Sequence, residues 1–89
     1  MRSVITVVGK DMVGILSKVS TLCAENKVNV IEVSQTILQD MFCMIMLVDL
    51  SECNLKFGDF SDKLSKIGQE MNLSVHTMHE DIFNSMHKI

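Results

Sequence analysis

Hydrophobic and polar positions along this chain follow a strand period in some segments and a helix period in others. β-Branched side chains occupy most of residues 3–8, which predicts a first β-strand. Over residues 12–25 apolar side chains recur every three or four positions opposite a polar face, which predicts an amphipathic helix. Asn26 then suits the C-terminal cap of that helix.

The remainder of the chain gives a hairpin, a second helix and a last strand. The elements predicted are a strand at 28–38, a strand at 41–50, a helix at 57–71 and a strand at 73–78. Gln39 and Asp40 suit a two-residue hairpin turn, and Asn72 marks the end of the second helix. The order β-α-β-β-α-β predicts an α+β, ferredoxin-like sandwich, in which a four-stranded antiparallel sheet carries both helices on one face.

The two strands that lie in the middle of such a sheet are apolar on both faces, and residues 41–48 form an unbroken apolar run. Two helices cover only one face, so something must cover the other. One candidate is the tail at 80–89, a short helix with an apolar stripe of Ile82, Phe83, Met86 and Ile89. A compatible candidate is a second subunit paired through sheet faces or edge strands. We predict a homodimer with an ordered tail.

Length and composition narrow the class of protein. We predict that the 89 residues form one domain, 1–89. Its apolar content of 47% is typical of globular proteins. The longest apolar run is far shorter than the roughly 20 residues that span a bilayer, and the N-terminus lacks a signal-peptide pattern. Eleven acidic residues outnumber eight basic ones, which are scattered and form no stripe for nucleic acid. We therefore expect a cytoplasmic protein that binds neither nucleic acid nor membrane.

The three cysteines include no C-x-x-C pair, which fits reduced thiols in a reducing compartment. Cys43 lies within the apolar central strand, where burial would leave it inert. No nucleophile elbow, phosphate loop or dinucleotide motif is present in the sequence. The sequence predicts that this chain is not an enzyme and needs no cofactor; a small enzyme using Cys53 or His79 ranks last among the alternatives.

The only metal-capable cluster in the sequence is His76, His79 and His87 with the neighbouring Glu80 and Asp81. Side chains three residues apart on a strand point to opposite faces, so His76 and His79 are poorly placed to share an ion. A polar strand end followed by a helix start with acidic residues explains the same residues. We expect no metal site.

The turn between the first strand and the first helix is the most informative segment for function. Helix N-termini present free backbone N–H groups that attract carboxylates and phosphates, so this turn is the favoured ligand site. Asp11 is interpreted as the N-cap, which places Gly14 in the first helical turn, where glycine costs about 1 kcal/mol relative to alanine. Either its missing Cβ admits a ligand or a neighbouring backbone, or it permits a tight contact between helix and strand.

The segment Gly-Lys-Asp-Met-Val-Gly-Ile at 9–15, followed by Val-Asn-Val at 28–30, resembles the ACT domain, a small regulatory module that senses amino acids. The resemblance covers all 89 residues and is strongest to the short stand-alone ACT proteins, including the Ser-Gln-Thr-Ile at 34–37 and the Glu-Asp-Ile-Phe at 80–83. It implies the fold predicted above and a ligand site between two subunits. The implied site residues are Asp11, Met12, Val13, Gly14, Ile15, Asn29 and Val30.

The resemblance also implies a role for each side of that site. Helix N–H groups near Gly14 would hold an amino-acid carboxylate, Asp11 would pair with the ammonium group, and Asn29 of a neighbouring subunit would offer a donor and an acceptor. Many ACT domains have proline before the motif glycine, where this chain has Val13, so its loop is less rigid.

The function that follows is a non-enzymatic regulatory domain that binds an amino acid or similar small metabolite at a dimer interface. Binding would change its association with a separate protein. The alternative is a structural or protein-interaction subunit with a vestigial ligand pocket.

Overall fold

The computed structural model describes residues 1–10 and 14–86 and contains the predicted elements in the predicted order. They are β1 (Arg2–Gly9), α1 (Ile15–Glu25), β2 (Asn29–Leu38), β3 (Met41–Asp49), α2 (Phe57–Glu70), β4 (Ser74–His79) and α3 (Glu80–Met86). The four strands form one antiparallel sheet in the order β2-β3-β1-β4. This confirms the ferredoxin-like sandwich, with β1 and β3 in the middle of the sheet.

The start of α1 differs from the prediction. The helix begins at Ile15 rather than residue 12, and its N-cap is Gly14, whose φ of 80° lies in the left-handed region. A residue in that conformation cannot be part of a right-handed helix, so the helix starts after it. The N-cap position predicted for Asp11 thus belongs to Gly14, and Asp11, Met12 and Val13 lie outside the described residues. Asn26 is the C-cap, as predicted.

The core lies between one face of the sheet and the helices α1 and α2. Every side chain in it is apolar, and its members come from all four strands or their ends and from both helices. The most completely buried of them are Ile5, Val7, Ile15, Val19, Cys23, Met44, Met46, Val48, Phe60 and Leu64. Because these positions alternate along β1 and β3, the residues between them point to the opposite face of the sheet.

That opposite face, which we call the outer face, is only half covered. The predicted tail helix exists as α3 over residues 80–86, and it packs mainly against β1 and β4. Ile45, at the centre of β3 on the outer face, keeps 42% of its surface exposed. The prediction that something must cover this face is therefore met in part by the tail; residues 87–89 lie outside the described part of the chain.

A tight contact between α2 and β4 gives a test of this packing. A Cβ added to Gly68 would lie 2.6 Å from Cγ2 of Val75 and 3.0 Å from the Leu73 carbonyl oxygen. We expect Gly68→Ala to lower the free energy of unfolding by about 1–3 kcal/mol, because the helix must move off the sheet. Chemical denaturation followed by circular dichroism measures the change.

The matched control is Gly58→Ala near the other end of α2, where no described atom lies within 4 Å of the added Cβ. There alanine improves helix propensity, and we expect a gain of up to about 1 kcal/mol. Equal effects of the two substitutions would contradict the contact between Gly68 and β4.

Candidate functional site

Gly14 is required for its backbone conformation rather than for close packing. Its φ and ψ are 80° and −2°, it is exposed, and no described atom lies within 4 Å of where a Cβ would stand. The interpretation of Gly14 as a tight helix-to-strand contact is therefore wrong. Its carbonyl oxygen accepts the backbone N–H of Lys18 at 3.0 Å, so α1 is hydrogen-bonded from the cap onward.

The N-terminus of α1 is electrostatically suited to an anion. A glycine cap has no side chain with which to bind the first backbone N–H groups, and the first turn of the helix contains no acidic residue. These N–H groups have no partner within a helix and carry the positive end of the helix dipole. Ile15 contributes its backbone alone, because its side chain is 1% exposed and belongs to the core. The arrangement favours a carboxylate or phosphate over a cation.

Asn29 and Val30 lie at the other end of the sheet. Asn29 is exposed at the start of the edge strand β2 and pairs with Asp49 of β3, which in turn pairs with Arg2. Val30 is half-buried against the core. The chain leaves the sheet toward α1 at the far end of the eight-residue β1, and at about 3.3 Å per residue the two ends lie roughly 23 Å apart. One protomer therefore does not bring Asn29 to Gly14.

A polar cluster that the sequence did not predict lies beside Asn29. Oδ1 of Asp49 accepts hydrogen bonds from the Ser51 hydroxyl at 2.6 Å and the Ser51 backbone N–H at 2.9 Å, and it lies 3.8 Å from the N-terminal ammonium group. The hydrogen bond from the Ser51 hydroxyl, and to a smaller extent the one from the Ser51 backbone N–H, lowers the pKa of the Asp49 carboxyl. Nearby, Arg2 pairs with Glu80 at 3.0 Å.

These charges are paired with one another along the rim of a cavity of about 360 Å³. Their contacts fix the start of β1 and the start of α3, and we assign them a structural role. The interacting residues come from three distant parts of the chain and form no local motif, so no pattern in the sequence could have identified them.

In the part of the chain that the structure describes, the surroundings of the thiols and imidazoles favour neither reactivity nor metal binding. Burial, together with the nearby Cys53, raises the pKa of the Cys23 thiol to about 11, which leaves it protonated and unreactive at neutral pH. Cys43 is half-buried on the outer face instead of buried in the core.

The two described histidines of β4 do not share a face of the sheet. His76 pairs with Thr6 and His79 with Ser3, so the two histidines point to opposite faces, as predicted. His79 stacks on Phe57 at 6.1 Å between ring centroids.

Within residues 1–10 and 14–86, no group of three or more His, Cys, Asp or Glu side chains is arranged to hold a metal ion. His87 lies outside those ranges. Over the same described residues, no helix is both long and apolar enough to cross a membrane.

Comparisons with known proteins agree with this fold. The family model of the ACT domain matches residues 2–80. A UPF0237 protein from Methanopyrus kandleri is 42% identical over 88 residues, which cover 99% of this chain and 98% of that protein. An ACT domain protein from Streptococcus pneumoniae is 35% identical with a TM-score of 0.80 over 93% of each chain. A formyltetrahydrofolate deformylase from Pseudomonas syringae pv. tomato shares the fold alone, with a TM-score of 0.77 and 21% identity over 88% of this chain and 27% of its own.

Proposed function

This chain belongs to the ACT domain family, and on that premise we propose that it is a non-enzymatic regulatory domain that binds an amino acid or a similar small metabolite at the interface of a homodimer. The observation that carries the proposal is the exposed, glycine-capped N-terminus of α1, which has no acidic residue in its first turn. Such a helix end binds the carboxylate that every free amino acid carries.

The edge strand β2 supplies the means of forming the dimer. Over its ten residues Glu32 is the one charged side chain, and the strand has neither the lysines nor the proline with which proteins usually protect an open edge. Ile37 and Leu38, at its end, are 70% and 68% exposed. A strand of this kind pairs readily with a second copy of itself, and antiparallel pairing of two identical edges generates a closed two-fold dimer.

That pairing completes the site. In two antiparallel β2 strands, Asn29 of the partner subunit would lie beside Leu38. Leu38 is at the same end of the sheet as Gly9, the last residue of β1 before α1. The two halves of the site, which are remote within one chain, then meet across the interface. The amide of Asn29 of the partner subunit would bind the ligand that the N-terminus of α1 holds, and Asp11 would pair with its ammonium group.

A ligand in this position acts by binding two states of the dimer with different affinity, for example an open and a closed pairing of the edges. The state it favours would associate differently with a separate protein. The three free thiols suit a cytoplasmic location, and the net acidic charge does not suit a nucleic-acid partner.

A thermal-shift screen against the amino acids tests the proposal. A specific ligand at a hundred times its Kd stabilises the protein by about 2.7 kcal/mol. We expect the shift to disappear in Gly14→Val and in Asn29→Ala, each compared with its own unliganded melting temperature, and to persist in the control Gly58→Ala. A shift that survives both Gly14→Val and Asn29→Ala would place the ligand elsewhere.

The proposed dimer is tested separately. Sedimentation of the wild type should give a dimer at micromolar concentration.

The second candidate is a structural or protein-interaction subunit with a vestigial pocket. The exposed apolar side chains of Ile37, Leu38 and Ile45 favour it, since such surfaces mark protein contacts whether or not a pocket is active. A stable dimer whose melting temperature no amino acid changes would support this candidate over the sensor.

A further inference from the structure

A groove lies on the outer face of the sheet, on the side opposite α1 and α2. Its floor is formed by Cys43, Ile45 and Met78, and its wall by Phe83 and Met86 of α3. The volume of this outer groove is about 510 Å³, which falls within the range of small-molecule sites. It is separate from the amino-acid site proposed above, because it shares no lining residue with that site.

Over the described residues, α3 is shorter than the sheet is wide. Its seven residues extend about 10 Å, whereas four strands spaced about 4.8 Å apart span roughly 14 Å. The ion pair between Arg2 and Glu80 fixes the start of α3 beside β1 and β4. The helix therefore stands as a wall at one side, and the outer face of β3 remains open beside it.

The lining defines the chemistry of an occupant. It is mostly apolar, but Thr6 and His76, which are cross-strand neighbours, place two hydrogen-bonding side chains at one point of the groove. Nε2 of His76 lies 3.2 Å from the Ser74 hydroxyl. When Nε2 accepts a hydrogen bond from that hydroxyl, the ring proton is on Nδ1, and this N–H can donate to a ligand. No carboxylate is among the described residues that line the groove, so a negatively charged head group meets no repulsion there.

We propose that the outer groove binds a small amphipathic carboxylic acid. Its apolar chain lies between α3 and β3, and its carboxylate accepts hydrogen bonds from Thr6 and His76. A flexible acyl chain fits beside α3 without moving it. Such a chain is narrower than a helix from another protein, which is about 10–12 Å across.

Titration of the full-length protein with decanoate, followed by NMR, tests this proposal, with decanol as the uncharged ligand of matched chain length. We expect saturable binding of one decanoate per chain, with shift changes concentrated at Cys43, Ile45 and Met86. His76→Phe should weaken decanoate about tenfold, the loss expected for one hydrogen bond to a charged group, and should change decanol binding little. Phe83→Ala, which removes part of the wall, should weaken both ligands.

Asn29→Ala separates this site from the amino-acid site, because it leaves the outer groove intact and should not change decanoate binding. Shift changes spread over all exposed apolar residues, or an absence of saturation below the micellar concentration of decanoate, would overturn the proposal. Changes at the same groove residues on dilution of the protein without ligand would also overturn it, since they would identify a second copy of the chain as the occupant.

Discussion

Replacing Phe60 with alanine is expected to lower the free energy of unfolding by about 3–5 kcal/mol. Phe60 is fully buried and is the largest of the completely buried side chains, projecting from α2 into the core beneath the sheet. The loss combines the transfer free energy of the ring with the cavity it leaves. Small domains are stable by only about 5–15 kcal/mol in total, so the variant should be close to unfolding at physiological temperature. Urea denaturation followed by circular dichroism measures the loss.

Phe57→Ala is the matched control for that experiment. It makes the same chemical change one turn earlier in α2, where the ring is half-buried and stacks on His79. We expect a clearly smaller loss, because less apolar surface is exposed and no closed cavity forms. If the two substitutions cost the same, the core would not be centred on Phe60 as the structure places it.

The burial of Phe60 was predictable from the sequence because helix period is a local signal. Phe60, Leu64, Ile67 and Met71 recur at helical spacing, and the structure buries the first two and packs the last two against the core. The start of α1 was not predictable in the same way. It depends on the positive φ of Gly14, and a glycine can occupy either a helical or a left-handed conformation at small cost.

In β2, the alternation of apolar and polar residues does not identify the buried face along the whole strand. The sheet register shifts between Val30 and Glu32, so that Val30 faces Val48 and Glu32 faces Leu47. Ile31 is the extra residue of a β-bulge, and beyond it the inward positions change parity. Alternation along residues 28–38 is therefore imperfect in the sequence, and only pairing with β3 reveals which side chains share a face.

The residues of the candidate site were located along the sequence but not relative to one another. Asn29 and Gly14 lie near opposite ends of the sheet. This separation follows from the antiparallel register of β1, β3 and β2, which local sequence pattern does not determine. The same register places Cys43 on the outer face, where the sequence predicted burial. The part of that face that α3 covers depends on where the helix lies on the sheet, and local sequence pattern does not determine its packing against β1 and β4.

Introducing a charge at the centre of the β2 edge is expected to separate the proposed dimer. Ser34 is exposed near the middle of β2, and antiparallel two-fold pairing brings the central residues of the two strands opposite each other. Ser34→Lys would therefore place two ammonium groups in contact, and like charges at an interface cost several kcal/mol. We expect dimerisation to weaken roughly a hundredfold or more, measured by sedimentation across a concentration series.

The same variant should also lose the thermal shift with amino acids, because Asn29 of the partner subunit leaves the site when the edges part. Gln69→Lys is the control: it adds the same charge at an exposed position of α2, which packs on β4 at the edge of the sheet farthest from β2. Its dimerisation and its ligand response should match the wild type. A Ser34→Lys protein that remains dimeric would show that the subunits pair through another surface, and retention of the ligand shift by a Ser34→Lys monomer would show that the site is complete within one chain.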